Sequence, residues 1–214
     1  MPKSGLDAAL AHEELAARLA ARLCHDFVGP AGGIVSGLDL LAGAPAAEVK
    51  GAALELVDAG ARKLLALITF SRAAFGVGGE IFDTGALEAL ARGLFSDLRP
   101  TLDWSVEATS LAGPAARTLL NLVQIAADAL ALGGVARAWA APRAGKIHLG
   151  VDAVGPRARL HREVLNGLKG EPRGEGLSGR WVQAYFVHAV VATAGGEVVC
   201  AEGEAGVRFT ASLP

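Results

Sequence analysis

The sequence predicts an α+β protein, a long helical hairpin followed by a sandwich with helices on one face of a sheet. Two observations carry that expectation. Up to about residue 75, apolar side chains recur every three or four positions, and the small turn-forming residues Gly43-Ala44-Pro45 divide that stretch into two helices. Beyond the glycine cluster Gly76-Val77-Gly78-Gly79 the pattern changes to short alternating stretches interleaved with helical ones. The expected domains are therefore a hairpin over 1–75, a linker over 76–79 and an α/β domain over 80–214.

The first helix is expected from about Leu6 to Leu41. Leu15, Leu19, Leu23 and Phe27 mark its buried stripe. Gly29-Pro30-Ala31-Gly32-Gly33 reads locally as a turn, yet the stripe resumes at Ile34, Leu38 and Leu41. One long helix kinked at Pro30 is the preferred reading, and two helices meeting at a bend is the alternative. The second helix spans about Ala46 to Phe75, with Leu54, Val57, Ala61, Leu64 and Ile68 alternating spacings of three and four, the pattern of a bundle seam. A lone hairpin cannot cover both stripes. Two hairpins paired in a four-helix bundle can, which predicts a homodimer.

In the second half, Ile81–Asp83 reads as a short strand and Gly85–Phe95 as a helix. Thr101–Ala108 alternates as a strand, and Pro114–Leu132 is a helix with proline in its first turn. Lys146–Ala153 alternates as a strand, and a weaker helix covers Ala158–Leu168. A polar, glycine-rich loop at Glu171–Gly179 precedes an apolar helix over Trp181–Ala194. Glu197–Glu202 and Gly206–Leu213 close the chain as an antiparallel pair.

Composition excludes several functions. A net charge of −2 over 214 residues leaves no electrostatic footprint for nucleic acid. No apolar run approaches the roughly 18 residues that suggest a membrane span, and the first residues do not form an apolar signal core. Two cysteines, Cys24 and Cys200, make neither a disulfide framework nor a metal cluster. The expectation is a cytoplasmic protein without a metal or cofactor of its own. Cys24 is expected to be a small buried thiol.

Chemistry centres on Leu23-Cys24-His25-Asp26-Phe27, with Pro30 close behind. A neutral imidazole is a nitrogen nucleophile near pH 7. One ring nitrogen can attack if the other keeps its proton on an acceptor, and Asp26 is the nearest acceptor. His25 lies two residues from both Leu23 and Phe27, about 200° around the helix, and so faces away from the stripe. The plain alternative is an ordinary surface histidine beside an ordinary aspartate. Counting back from the reversal, Lys63, Leu64 and Leu65 should lie level with His25. Arg18, Arg22 and Lys63, with Val28, Gly29, Leu64 and Leu65, form a candidate partner-docking surface. Ordinary solvated charge and bundle burial explain those residues equally well. His12, His148, His161 and His188 lack the acid-proline context.

A helical hairpin bearing His-Asp-Phe-x-x-Pro, followed by an α/β sandwich, resembles the two-domain core of a histidine kinase. The closing segments Gly195-Gly196-Glu197-Val198, Gly206-Val207-Arg208-Phe209-Thr210 and Leu213-Pro214 are similar to the last strands of the kinase (Bergerat-type) ATP-binding domain. Three departures indicate that this domain is degenerate. The helix represented by Asn121-Leu122-Val123-Gln124-Ile125-Ala126-Ala127 has Ile125 where kinases carry a second, magnesium-holding asparagine. Asp152-Ala153-Val154-Gly155-Pro156 keeps the adenine-reading acid but shifts and loses the glycines, and Gly176-Leu177-Ser178-Gly179-Arg180-Trp181 is a remnant of the phosphate loop.

Leu23–Phe27 with Pro30, then Ser36-Gly37-Leu38-Asp39-Leu40-Leu41, resembles the ChpT-type histidine phosphotransferases of bacterial phosphorelays. That resemblance implies that His25 accepts phosphate from the receiver domain of a hybrid histidine kinase and passes it to response regulators, typically CtrA-like and CpdR-like. The receiver supplies Mg²⁺. Gly29 stands where related kinases often hold a water-orienting Thr or Asn, which implies transfer rather than hydrolysis. The rival classes are an inert dimeric scaffold and an ATP-dependent histidine kinase.

Overall fold

The computed structural model describes residues 5–43, 46–77, 80–171 and 179–214, with side chains from residue 13 onward. The chain divides into two compact units, Met1–Arg72 and Ala73–Pro214. The division falls in the last turn of the second helix, ahead of the expected linker, of which Gly78 and Gly79 lie outside the described residues. The cause is local packing. Ala74 is wholly buried, its carbonyl accepts from Asn121, and the Phe75 ring lies 5.3 Å from that of Phe186, so this turn belongs to the core of the second unit.

The first unit is an antiparallel hairpin of α1 (Gly5–Ala42) and α2 (Ala47–Phe75). α1 runs without interruption through Pro30, as one helix rather than two. The expected reversal at Gly43-Ala44-Pro45 is described only at Gly43. Glycines set the close approach of the helices. A Cβ on Gly37 would lie 2.9 Å from the Ala53 carbonyl oxygen, and one on Gly60 2.9 Å from that of Pro30. The expected seam is covered only in part. Leu15, Leu19, Leu23, Phe27 and Ile34 are half-buried, whereas Leu38 is 52% and Leu54 51% exposed, and Ile68 also faces out.

The second unit contains a five-stranded sheet in the order β2-β4-β5-β7-β6, formed by β2 (Thr101–Val106), β4 (Val135–Arg143), β5 (Lys146–Val154), β6 (Glu197–Gly203) and β7 (Gly206–Leu213). β2 and β4 are parallel, joined by a crossover through α4 (Gly113–Ala129), and the other pairings are antiparallel. β1 (Ile81–Asp83) and β3 (Ser110–Ala112) form a separate small ribbon. The remaining helices are α3 (Thr84–Phe95), α5 (Arg162–Leu168) and α6 (Gly179–Thr193). Asp83 caps α3, accepting from the Ala86 N–H at 2.8 Å.

The core lies between α4 and the sheet. Leu119, Leu120, Leu122 and Val123 are fully buried, as are Leu149 and Val151 of β5 and Phe209 of β7. A helix apolar on nearly all sides needs such an enclosed position. β4 is a nine-residue strand that the sequence pattern did not announce. Its inward residues Ala136, Ala138 and Ala140 are wholly buried, and such small side chains leave room for the helix layer. It joins β5 through Ala144 and Gly145, both at positive φ (50° and 76°), the backbone of a tight type I′ hairpin turn. Most of the expected polar loop before α6 lies outside the described residues. No helix among the described residues is long and apolar enough to cross a membrane.

Candidate functional site

α1 carries the histidine with its side chain 89% exposed, as the angular argument requires. His25 Nδ1 lies 3.4 Å from Asp26 Oδ1, at the long limit of a hydrogen bond between neighbours whose side chains diverge. Asp26 is itself only 29% exposed. Its other oxygen, Oδ2, lies 3.7 Å from Nε of Arg22, one turn earlier, whose side chain is 11% exposed. With Nδ1 turned to the carboxylate, Nε2 is the ring nitrogen left to solvent.

The glycine contacts fix the level of the facing helix. Gly37 lies opposite Ala53 and Val57, and Gly60 opposite Pro30 and Ile34. Extending that register puts His25 level with residues 65–69 of α2. Leu65 is therefore level with His25, but Lys63 and Leu64 lie level with Val28 and Gly29, about one turn further along. Val28 is 69% and Leu65 66% exposed, while Leu64 is half-buried. A Cβ on Gly29 would meet nothing within 4 Å. Arg18 is held by Glu14, with Nε donating to Oε1 at 2.9 Å. Cys24 is exposed, contrary to the expectation of a small buried thiol.

The second unit holds the residues that the kinase resemblance singled out. Asn121 of α4 is wholly buried. Its Nδ2 donates to the carbonyls of Ala74 and Arg117, each at 2.9 Å, and its Oδ1 accepts from Gln183 Nε2 at 3.1 Å. Gln183 also donates to Gln124 Oε1 at 2.7 Å, tying α6 to α4. Sequence reading did not find this amide chain. Ile125 is 2% exposed. The Asp152 carboxylate accepts from Arg208 of β7, at 2.5 Å from Nε and 3.3 Å from a terminal nitrogen. That ion pair raises the guanidinium's pKa.

Trp181 stacks on Tyr185 and donates to the Glu171 carbonyl. The phosphate-loop remnant is described only at Gly179, Arg180 and Trp181. His188 Nδ1 lies 3.1 Å from the Leu168 carbonyl oxygen, a structural contact, and His161 is the half-buried cap residue of α5. Burial pushes the Cys200 thiol up. Among the described residues no three His, Cys, Asp or Glu side chains gather as a metal site.

Comparison with known proteins places this architecture. The family model for the histidine phosphotransferase C-terminal domain matches residues 84–206. Protein phosphotransferase ChpT of Brucella abortus (strain 2308) is 34% identical over 124 residues, which cover 56% of this chain and 58% of the Brucella protein, less than two thirds of that relative's length. A solved structure of a bacterial phosphotransferase is 26% identical and superposes with a TM-score of 0.82 over 99% of this chain and 98% of its own. The catalytic domain of the histidine kinase ThkA, 17% identical, matches 63% of this chain and 93% of its own with a TM-score of 0.50, a likeness of fold. The second unit thus has a histidine-kinase-like α/β fold, and the chain belongs to the ChpT-type histidine phosphotransferase family.

Proposed function

We propose that this chain is a phosphorelay histidine phosphotransferase whose His25 takes a phosphoryl group from a receiver domain of a hybrid histidine kinase and passes it to aspartates of response regulators, CtrA-like and CpdR-like among them, without binding ATP. The observation that carries the reading is the exposed His25 ring with Nδ1 turned to Asp26. In the forward step Nε2 attacks the phosphorus of the aspartyl phosphate. The N–P bond forms as the P–O bond breaks, and the receiver's carboxylate leaves. The ring keeps its Nδ1 proton, and the Asp26 carboxylate offsets the positive charge that develops on the imidazole. Donation to a response regulator is the reverse reaction. Such transfer depends mostly on positioning and charge stabilisation, and the receiver brings the Mg²⁺. Gly29 offers no side chain to orient a water, which favours transfer over hydrolysis.

Val28 and Leu65 supply the apolar part of the docking surface, with Gly29 giving close access to the helix and Lys63, Leu64 and Arg18 at its margin. The kinase-like unit serves as a structural and docking element. Its lack of nucleotide binding is supported by the committed amide of Asn121, by the buried Ile125 and by the Asp152–Arg208 pair. The test is to mix the protein with a ³²P-labelled receiver. Acid-labile, alkali-stable label on this chain is the expected result, and label that stays on the receiver rejects the proposal. Such a protein works in the cytoplasm, where receivers are.

The hairpin also supports a homodimer. Among the described residues of α1 and α2, nine large apolar side chains stand exposed, Val35, Leu38, Leu40 and Leu54 among them. The register places Leu38 level with Leu54, and a second hairpin laid over them completes a four-helix bundle. Light scattering on the wild type will give the mass of two chains. Leu38→Asp with Leu54→Asp will halve it, because each buried carboxylate costs several kcal/mol. A wild-type monomer would exclude the bundle.

A further inference from the structure

Arg22 occupies an unusual place for a docking residue. Its side chain is 11% exposed, against 89% for His25, and its guanidinium is directed at the oxygen of Asp26 that His25 does not use. A receiver can touch His25 readily, but it has little of Arg22 to touch. An exposed ion pair four residues apart on a helix is worth only a few tenths of a kcal/mol. This one has a different use.

Side chains of adjacent helical residues diverge, so the 3.4 Å contact between Asp26 and His25 holds only while the carboxylate is kept in one rotamer. Water would otherwise draw it outward. The Arg22 guanidinium one turn back stands 3.7 Å from Oδ2, an ion-pair distance, and its attraction for that oxygen leaves Oδ1 toward the ring.

We infer that Arg22 is a positioning residue for phosphotransfer: it tethers Asp26, and through Asp26 it keeps the His25 proton on Nδ1 and the lone pair on Nε2. This rests on the reading of His25 as the phosphoacceptor. The tethering itself has a readout that needs no phosphate.

The experiment combines ¹⁵N NMR of histidine-labelled protein with single-turnover transfer from a phosphorylated receiver, for wild type, Arg22→Gln, Arg22→Lys, Asp26→Asn and the Arg22→Gln/Asp26→Asn double variant. Arg22→Gln will lower the Nδ1–H tautomer fraction of His25. It will slow the maximal transfer rate roughly tenfold, with half-saturation by the receiver unchanged, as expected for partial loss of an acid–base partner. Arg22→Lys will recover part of both. In the double variant the Arg22 substitution will add nothing to Asp26→Asn, since its effect passes through that carboxylate.

A docking role would raise half-saturation and leave the maximal rate alone. A purely structural role would add its cost on either background. Either outcome overturns the inference, as does an unchanged tautomer. If the wild type takes no label at all, the phosphotransfer reading falls, while the tautomer measurement still decides whether Arg22 tethers Asp26. Should Arg22→Gln fail to fold by circular dichroism, Arg22→Lys against wild type reads the same tautomer and the same rate.

Discussion

His25→Ala will carry no acid-labile phosphate when mixed with a labelled receiver, and transfer onward to a second receiver will fall below about one part in 10³ of wild type. Removing a covalent nucleophile leaves only what binding and positioning give, and no neighbouring group can replace it. Every other histidine of the chain lies thirteen or more positions from this one. The substitution will cost little stability, within about 0.5 kcal/mol, because the ring is 89% exposed and touches little besides Asp26. Melting temperature and oligomeric mass will therefore match wild type, which separates a chemical loss from a folding one. Asp26→Asn will still form the same adduct, about 10²-fold more slowly, since an amide can hold the ring but cannot stabilise the positive imidazole. Undiminished label on His25→Ala would place the phosphoryl group elsewhere and remove the basis of the proposal.

The site was legible where helical geometry alone decides it. Leu23 and Phe27 define a stripe, and the angle from them turns His25 outward whatever packs on the other side. Cys24 is exposed where a small buried thiol was expected, because the usual burial of thiols says nothing of where one stands on a helix. Arg22, expected on the docking surface, is instead mostly enclosed beside Asp26, one turn further along α1. For the hairpin, periodicity identified which residues need cover but not what provides it. Leu38 and Leu54 belong to apolar stripes and still lie half exposed in the single chain.

The strands that escaped sequence reading have physical reasons too. β4 is written largely in alanine, which favours helix, and contains Pro142. Its hairpin turn places Ala144 rather than Asn or Asp at positive φ, so the usual turn signal is absent. β3 is three residues long, and its partner β1 lies in a different part of the sequence. The amide chain was beyond reach for a related reason. Asn121 and Gln183 are 62 positions apart, and nothing local to either announces the other.

Asn121→Ala will destabilise the second unit by about 2 kcal/mol, a melting shift of roughly 5 °C for a chain of this size. It strips donors from the buried carbonyl of Ala74 and the part-buried one of Arg117, and an acceptor from Gln183. Asn121→Asp is the sharper test because the shape is kept. One carboxyl oxygen then replaces Nδ2 and faces the two carbonyl oxygens, so the group can donate at all only when protonated, and to one of them. Burial disfavours the charged form and raises the folded-state pKa above the unfolded value of about 3.9. The folded protein then binds the extra proton more tightly than the unfolded chain. Stability of the variant is accordingly greatest below about pH 4 and falls as pH rises toward the folded-state value. Urea unfolding at pH 4.5 and pH 7.5 will show the gap to wild type widening with pH. An equal gap at both would mean that the carboxyl reaches water and that the amide chain is not closed. A stabilising response to Mg²⁺ by wild type at pH 7.5 would show instead that Asn121 Oδ1 is still free to serve a metal, as the kinase resemblance would have it. With Gln183 already donating to that oxygen, no such response is expected.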